Sequence, residues 1–147
     1  MDRYISTKTI TLGSTTFRQP LAKSHCRFIH GYNLYAKFWF EADHLDENGW
    51  VVDFGGLKQL RRRLKKQFDH TTLISRDDPL LNEFLELNEV GGINLKIMDH
   101  GVGIEKFAKY CYNQANYYIK NMTKGRCWVF QVEVFEHDKN SAIYKII

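Results

Sequence analysis

The chain of 147 residues fits a single domain over residues 1–147, because one hydrophobic core commonly occupies roughly 100 to 200 residues. Its composition, 44% hydrophobic and 14% aromatic with only two prolines, supports a packed core and argues against a disordered linker. A net charge of +4 is compatible with an anionic small molecule or with weak nucleic-acid contact, and it excludes neither.

The amino-terminal residues MDRYISTKTI lack the basic and then apolar layout of a signal peptide, and no apolar run reaches the roughly 20 residues of a membrane helix. We therefore expect a cytoplasmic protein. Cys26, Cys111 and Cys127 form neither an even set nor a Cys-x-x-Cys pair, which indicates free thiols in a reducing compartment. Cys26 is then available for chemistry.

Two strands are predicted in the first third of the chain. Residues 4–17 are rich in Thr, Ile, Tyr and Phe with partial alternation, which favours a strand interrupted near Gly13. Residues 27–42 alternate between apolar residues on one face and Tyr, Lys, Trp and Glu on the other. Asn48-Gly49 then predicts a turn.

Helices are predicted in the middle of the chain. Asp53 is placed to cap a helix that begins around Gly55. The apolar stripe of this helix consists of Leu57, Leu60, Leu64 and Phe68. A loop containing SRDDPL follows, then a short acidic helix over 80–89, a segment over 91–98 that is compatible with extended structure, and a long helix over about 104–122.

Two strands, over 126–137 and 141–147, close the chain around a turn at 138–140. The order strand, strand, helix, helix, strand, strand predicts an α+β fold, in which a four-stranded antiparallel sheet carries two helices on one face. Each open edge of such a sheet is a template for pairing with another chain, so we expect oligomerisation through the edges.

Cys26 is the first candidate catalytic residue. It lies in SHCRFIHGYN, four residues before His30, with His25 and Arg27 beside it. A thiol with the ordinary pKa of ~8.5 needs a neighbouring histidine or cation to act as a base or nucleophile at neutral pH, and these neighbours meet that need. A buried structural thiol is the alternative interpretation.

Asp69, His70 and Glu136 are the other candidates. An aspartate that orients an adjacent imidazole, as Asp69 and His70 would, provides a proton relay, although a histidine also suits a helix C-terminus for dipole reasons. Glu136 ends an apolar strand face, where its carboxylate would suit the paired N–H donors of a guanidine-like ring edge. An exposed glutamate beside a turn is the alternative.

The chain resembles the 6-pyruvoyltetrahydropterin synthase and 6-carboxytetrahydropterin synthase family through four motifs in order. CRFIHGYN resembles Cys-x-x-Leu-His-Gly-His, and DENGWVVDFGGLK resembles Gly-Trp-x-x-Asp-Phe-x-x-Leu-Lys. FDHTTL resembles Leu-Asp-His-x-x-Leu, and VFEHDKNSAIY resembles a terminal Val-x-Glu segment. The resemblance implies a ββααββ tunnelling-fold subunit, with trimers that form a barrel and stack into a hexamer.

The resemblance also implies residue roles. Cys26 would be the base, Asp69 and His70 a relay from a neighbouring subunit, and Glu136 the anchor of the pterin ring. Glu105 survives from the family's Pro-Thr-x-Glu motif and is a candidate for substrate binding. The implied substrate is 7,8-dihydroneopterin triphosphate, converted on the way to queuosine-type deazapurines by a 6-carboxy-type enzyme. A 6-pyruvoyl-type enzyme, which eliminates triphosphate, is the alternative.

The resemblance implies zinc held by three histidines, and the chain departs from that set. His30 matches one ligand, the histidine expected a few residues after Phe17 is missing, and Tyr32 stands where the third is expected. His25 is a candidate substitute ligand, and Tyr32 is a candidate phenolate ligand. A pterin-binding module without turnover is therefore a second hypothesis.

The segment RRRLKKQ, residues 61–67, suggests a third hypothesis, since five cations in six positions form an electrostatic footprint for nucleic acid. These cations surround a leucine stripe, which favours a solvated helix face. We accordingly expect neither nucleic acid nor a membrane as partner.

Overall fold

Strands β1 (Tyr4–Phe17) and β2 (His30–Ala42) form a long antiparallel pair at the centre of the structure, a computed structural model that describes residues 2–147. β-branched and aromatic residues fill both strands, and their inward positions are closed to solvent. The predicted bounds of β1 are confirmed. Strand β2 begins at His30 rather than Arg27, because His25–Arg27 form a short 3-10 helix.

The remaining elements are α1 (Lys58–Phe68), β3 (Thr71–Ser75), α2 (Leu81–Glu89), β4 (Leu95–Met98), α3 (Ile104–Met122), β5 (Cys127–His137) and β6 (Asn140–Lys145). The strand order is β4-β3-β1-β2-β5-β6, with β1, β3 and β4 parallel and the other pairs antiparallel. Among residues 2–147 no helix is long and apolar enough to cross a bilayer.

The predicted α+β class is confirmed, but the predicted four-stranded antiparallel sheet with two helices is wrong. Residues 2–147 form a mixed sheet of six strands with three helices. The sequence prediction misses β3 because all five of its residues are buried, which removes the period-two alternation of a half-buried strand. Strand β4 has only four residues, too few to show a period.

Helices α1 and α3 cover one face of this sheet, and aromatic rings join the two layers. Phe107 of α3 lies 5.1 Å from the ring of Phe17 in β1 and 5.4 Å from the ring of Phe68 in α1, nearly perpendicular to both. All three rings are at most 2% exposed, and each contributes roughly 1.5–3 kcal/mol by burial. This packing fixes the ends of β1 and α1 against each other.

A β-bulge in β1 accounts for the predicted interruption near Gly13. The pairing with β2 shifts register between Thr11 and Gly13, and Gly13 has a φ of 116°. A Cβ atom at this position would lie 2.1 Å from Oδ1 of Asp69, so glycine makes room for that carboxylate. The Ser14 N–H donates to the same oxygen at 3.1 Å, and the His70 N–H donates to the Ser14 carbonyl at 2.6 Å.

We predict that Gly13→Ala lowers the free energy of unfolding by about 3 kcal/mol, since it adds both backbone strain and a clash with Asp69. Gly49→Ala is the matched control, because Gly49 has a φ of 82° with nothing within 4 Å of the added atom, and it should cost about 1 kcal/mol. Urea unfolding of both variants measures the difference. Equal losses would contradict the close approach of Asp69.

Candidate functional site

A loop between β1 and β2 carries Cys26 on the short 3-10 helix His25–Arg27. The Ser24 hydroxyl caps this helix by accepting from the Cys26 N–H at 3.2 Å. The Gln19 N–H donates to the Cys26 carbonyl at 2.9 Å. The backbone of Cys26 is therefore bound on both sides, and its side chain is half-buried.

The three thiols lie in different environments. Cys111 of α3 and Cys127 of β5 are buried. Burial raises the pKa of the Cys127 thiol to about 11 and strongly raises the pKa of Cys111, so both stay protonated at neutral pH. These two are structural thiols, whereas Cys26 is accessible to a reactant.

Tyr32 connects the Cys26 loop with the end of β5. Hydrogen bonding to Glu136 is the largest influence that raises the pKa of the Tyr32 hydroxyl, followed by burial and by the charges of Glu136 and Cys26. The Tyr32 ring also packs edge-on against His30, with 5.6 Å between centroids. Cys26, Tyr32 and Glu136 thus share one end of the sheet, and we call these three residues the Tyr32 cluster.

The sequence analysis places Tyr32 only at a missing metal ligand, so its role as the link in this cluster is a finding of the structure. Its phenol is polar at one end and apolar along the ring, which suits a position between Phe17 and a carboxylate. The even spacing of His30 and Tyr32 on one strand face is the sequence signal that they act together.

Asp69 and His70 form the predicted pair. Asp69 Oδ1 lies 3.0 Å from His70 Nδ1. The hydrogen bond from the Ser14 N–H is the largest influence on Asp69, and together with His70 and Lys65 it outweighs partial burial and lowers the pKa of that carboxyl. The alternative of a histidine attracted by the helix dipole alone does not account for this contact.

The imidazole of His70 points outward, with 82% of the side chain exposed. It lines an open groove of about 990 Å³ between β1, β2, β3 and the end of α2. Thr16, Thr72 and Asn33 add polar groups to the groove, and Thr16 and Thr72 bond to each other at 2.8 Å. No hydrogen bond or ion pair among residues 2–147 joins His70 to Cys26.

Glu105 lies exposed in the first turn of α3, where a carboxylate suits the positive end of the helix dipole. Gln19 fills the adjacent space, since a Cβ atom at Gly103 would lie 2.6 Å from its amide nitrogen. No hydrogen bond within residues 2–147 connects Glu105 with the Tyr32 cluster, so its part in substrate binding stays a prediction.

The donor atoms of one chain do not fit a three-histidine zinc site. No group of three or more His, Cys, Asp or Glu side chains suited to a metal occurs within residues 2–147. His30 Nδ1 lies 2.8 Å from the Phe28 carbonyl, which leaves Nε2 as the free donor, while His25 is exposed and Tyr32 is engaged with Glu136. Zinc binding by His30 and His25 therefore stays a prediction.

Comparisons with known proteins come from three directions. The family model for 6-pyruvoyl tetrahydropterin synthase matches residues 7–146. A curated 6-carboxy-5,6,7,8-tetrahydropterin synthase of Aquifex aeolicus is 25% identical over 136 residues, which cover 88% of this chain and 80% of that protein. The protein of the same name from Rickettsia typhi is 31% identical over 65 residues, so the match spans about half of it, 47%, and 44% of this chain.

Solved structures share the fold. An uncharacterized protein of Wolinella succinogenes has a TM-score of 0.84 at 18% identity, with 99% of both chains covered. The 6-pyruvoyl tetrahydropterin synthase of Plasmodium vivax has a TM-score of 0.64 at 18% identity, with 97% of this chain and 99% of that chain covered. The six-stranded arrangement with helices on one face is therefore an architecture already observed in this group.

We predict that any zinc held at His30 is weakly bound, because a single chain supplies too few ligands there. Dialysis against a chelator should leave well below one zinc per chain, measured by elemental mass spectrometry. Tyr32→His, which restores a second imidazole on the same strand face, should raise the retained zinc severalfold. Stoichiometric zinc in the chelator-treated parent protein would show that ligands outside this set complete the site.

Proposed function

Since the chain belongs to the 6-pyruvoyl tetrahydropterin synthase family, we propose that it is a lyase that converts 7,8-dihydroneopterin triphosphate as a 6-carboxy-5,6,7,8-tetrahydropterin synthase. The observation that carries this proposal is the Tyr32 cluster, which combines an accessible thiol and a strand-end carboxylate at one end of the sheet. The curated relatives named as 6-carboxy enzymes support this product type.

Glu136 provides the recognition of the substrate ring. A carboxylate accepts two hydrogen bonds side by side, and the N–H groups along one edge of a pterin match that geometry. The Tyr32 hydroxyl already interacts with this carboxylate, so the ring would add to or replace an existing hydrogen bond. The apolar wall formed by Phe17 and the Tyr32 ring suits the flat face of a heterocycle.

Cys26 provides the base. Its thiolate is placed to remove a proton from a side-chain carbon of the substrate, next to a hydroxyl or carbonyl group that acidifies it. The triphosphate then leaves, and the 6-carboxy branch also removes the two-carbon end of the side chain. The half-buried position of the thiol allows contact with the substrate and limits contact with water.

Asp69 and His70 complete the proton path. The Asp69 carboxylate pairs with Nδ1 of His70, which makes Nε2 the free nitrogen that accepts a proton. Because the imidazole points away from its own Cys26, we propose that it serves the Cys26 of a neighbouring subunit. Strands β4 and β6 are the open edges through which a trimer or a dimer of trimers would assemble.

Two alternatives differ in their products. A 6-pyruvoyl tetrahydropterin synthase would release triphosphate and keep all three side-chain carbons. A pterin-binding module would bind the ring without turnover, an alternative favoured by the replacement of a metal ligand by Tyr32. Mass spectrometry of the pterin product, with an assay for free triphosphate on the same sample, separates all three. A cytoplasmic role in queuosine-type deazapurine synthesis remains part of the 6-carboxy proposal.

We predict that Cys26→Ala lowers kcat by a factor of about 10² to 10⁴ without loss of fold, because it removes the base but no core atoms. Glu136→Gln should instead weaken pterin binding by roughly 10- to 100-fold, since an amide cannot accept two hydrogen bonds from the ring. Steady-state kinetics and equilibrium fluorescence titration measure the two effects. Equal binding losses in both variants would contradict these roles.

We predict that two inactive variants restore activity when they share an oligomer. Cys26→Ala and His70→Asn, which tolerates the φ of 58° at residue 70, are co-expressed with different tags and purified through both. If each site takes Cys26 from one chain and His70 from its neighbour, random mixing regenerates about a quarter of the sites. Activity no higher than that of either variant alone would place both residues in the same chain's site.

A further inference from the structure

Arg18, the first residue after β1, forms a two-pronged ion pair with Asp78. Its Nε and Nη2 atoms lie 2.8 Å from the two carboxylate oxygens. The Asp78 side chain is fully buried and that of Arg18 is 14% exposed. Parallel bonds of this kind fix both side chains in one geometry, unlike an exposed pair with a single contact.

Asp78 is itself held from the other side. The Leu80 N–H donates to its Oδ1 at 2.9 Å, and its own N–H donates to the Ser75 carbonyl at 3.0 Å. Burial opposes ionisation of this carboxyl, but the hydrogen bonds from Arg18 and Leu80 outweigh it and keep the pKa of Asp78 below its ordinary value. The carboxylate is therefore a charged, fixed anchor at neutral pH.

The third guanidinium nitrogen of Arg18 reaches the loop that carries the Cys26 thiol. Nη1 donates to the Arg27 carbonyl at 2.9 Å, and the next residue, Gln19, donates its N–H to the Cys26 carbonyl at 2.9 Å. Two consecutive residues after β1 thus bind the carbonyls of two consecutive residues of the 3-10 helix. A chain of hydrogen bonds runs from buried Asp78 to the backbone of Cys26.

We propose that Arg18 and Asp78 are positioning residues that hold Cys26 at its reactive place, an inference that rests on the proposed role of Cys26 as the base. Lysine cannot replace Arg18, because a single ammonium group cannot bind two carboxylate oxygens and a carbonyl in this fork geometry. Neither residue touches the reacting atoms. Their effect passes through the backbone of residues 26 and 27.

The test compares Arg18→Lys with Arg76→Lys in the full-length protein. Arg76 pairs with Asp99 at 2.7 Å through one contact between side chains that are 61% and 63% exposed, so it is a matched control without a buried anchor. Iodoacetamide labels the accessible thiol, and peptide mass spectrometry reports each cysteine separately. This readout works whether or not the protein turns over a pterin.

We expect Arg18→Lys to be alkylated at Cys26 about fivefold faster, because release of the 3-10 helix exposes the thiol. Cys111 and Cys127 should stay unlabelled, which separates local release from general unfolding. With dihydroneopterin triphosphate as substrate, kcat should fall about tenfold with KM nearly unchanged. Arg76→Lys should match the parent protein in every measurement.

Unchanged alkylation of Cys26 and unchanged kcat in folded Arg18→Lys would overturn the positioning role. If Arg18→Lys does not fold, Asp78→Asn provides the same comparison, since it keeps the side-chain volume and removes the charge that fixes Arg18, and the same criteria apply. Absence of turnover in the parent protein would overturn the proposed function, whereas the alkylation difference would still decide the positioning role.

Discussion

The contact of the Asp69 carboxylate with the bulge in β1 is the constraint on which the other half of the sheet depends. Gly13 leaves the space, the Ser14 N–H binds the carboxylate, and the His70 N–H returns to the Ser14 carbonyl. The end of α1 is thereby fixed to the middle of β1. From that point β3 runs parallel to the second half of β1, pairing Thr15–Phe17 with Thr71–Leu73. Strand β4 takes its position from β3.

The same contact orients the proposed proton relay. A carboxylate that accepts a backbone N–H and pairs with Nδ1 of His70 holds the imidazole in one tautomer, with Nε2 toward the groove. The structural bulge and the proposed relay therefore share one aspartate. The Tyr32 cluster is built independently, from the loop after β1 and the end of β5. Two half-sites on one subunit are what an enzyme with sites between subunits requires.

The chain carries the thiol, the carboxylate anchor and the relay pair that the family resemblance implies, but their surroundings differ from the implied pattern. Tyr32 engages Glu136 at a position where the resemblance implies a metal ligand. Arg18 and buried Asp78 tie the thiol loop to the segment between β3 and α2. Both features place fixed polar contacts between side chains and backbone around the thiol. The surroundings of the thiol are thus more particular to this chain than the thiol itself.

The sequence by itself determined the α+β class, the bounds of β1 and α3, the Asp53 cap and the pairing of Asp69 with His70, because each depends on neighbours close in the chain or on a regular period. The family resemblance singled out Cys26 and Glu136 as candidates for one site. Only the tertiary structure decided that β3 and β4 extend the sheet, since a strand buried on both faces shows no alternation. It alone also placed Tyr32 between Cys26 and Glu136, and Arg18 on Asp78, because such contacts join residues up to about a hundred positions apart that no local pattern connects.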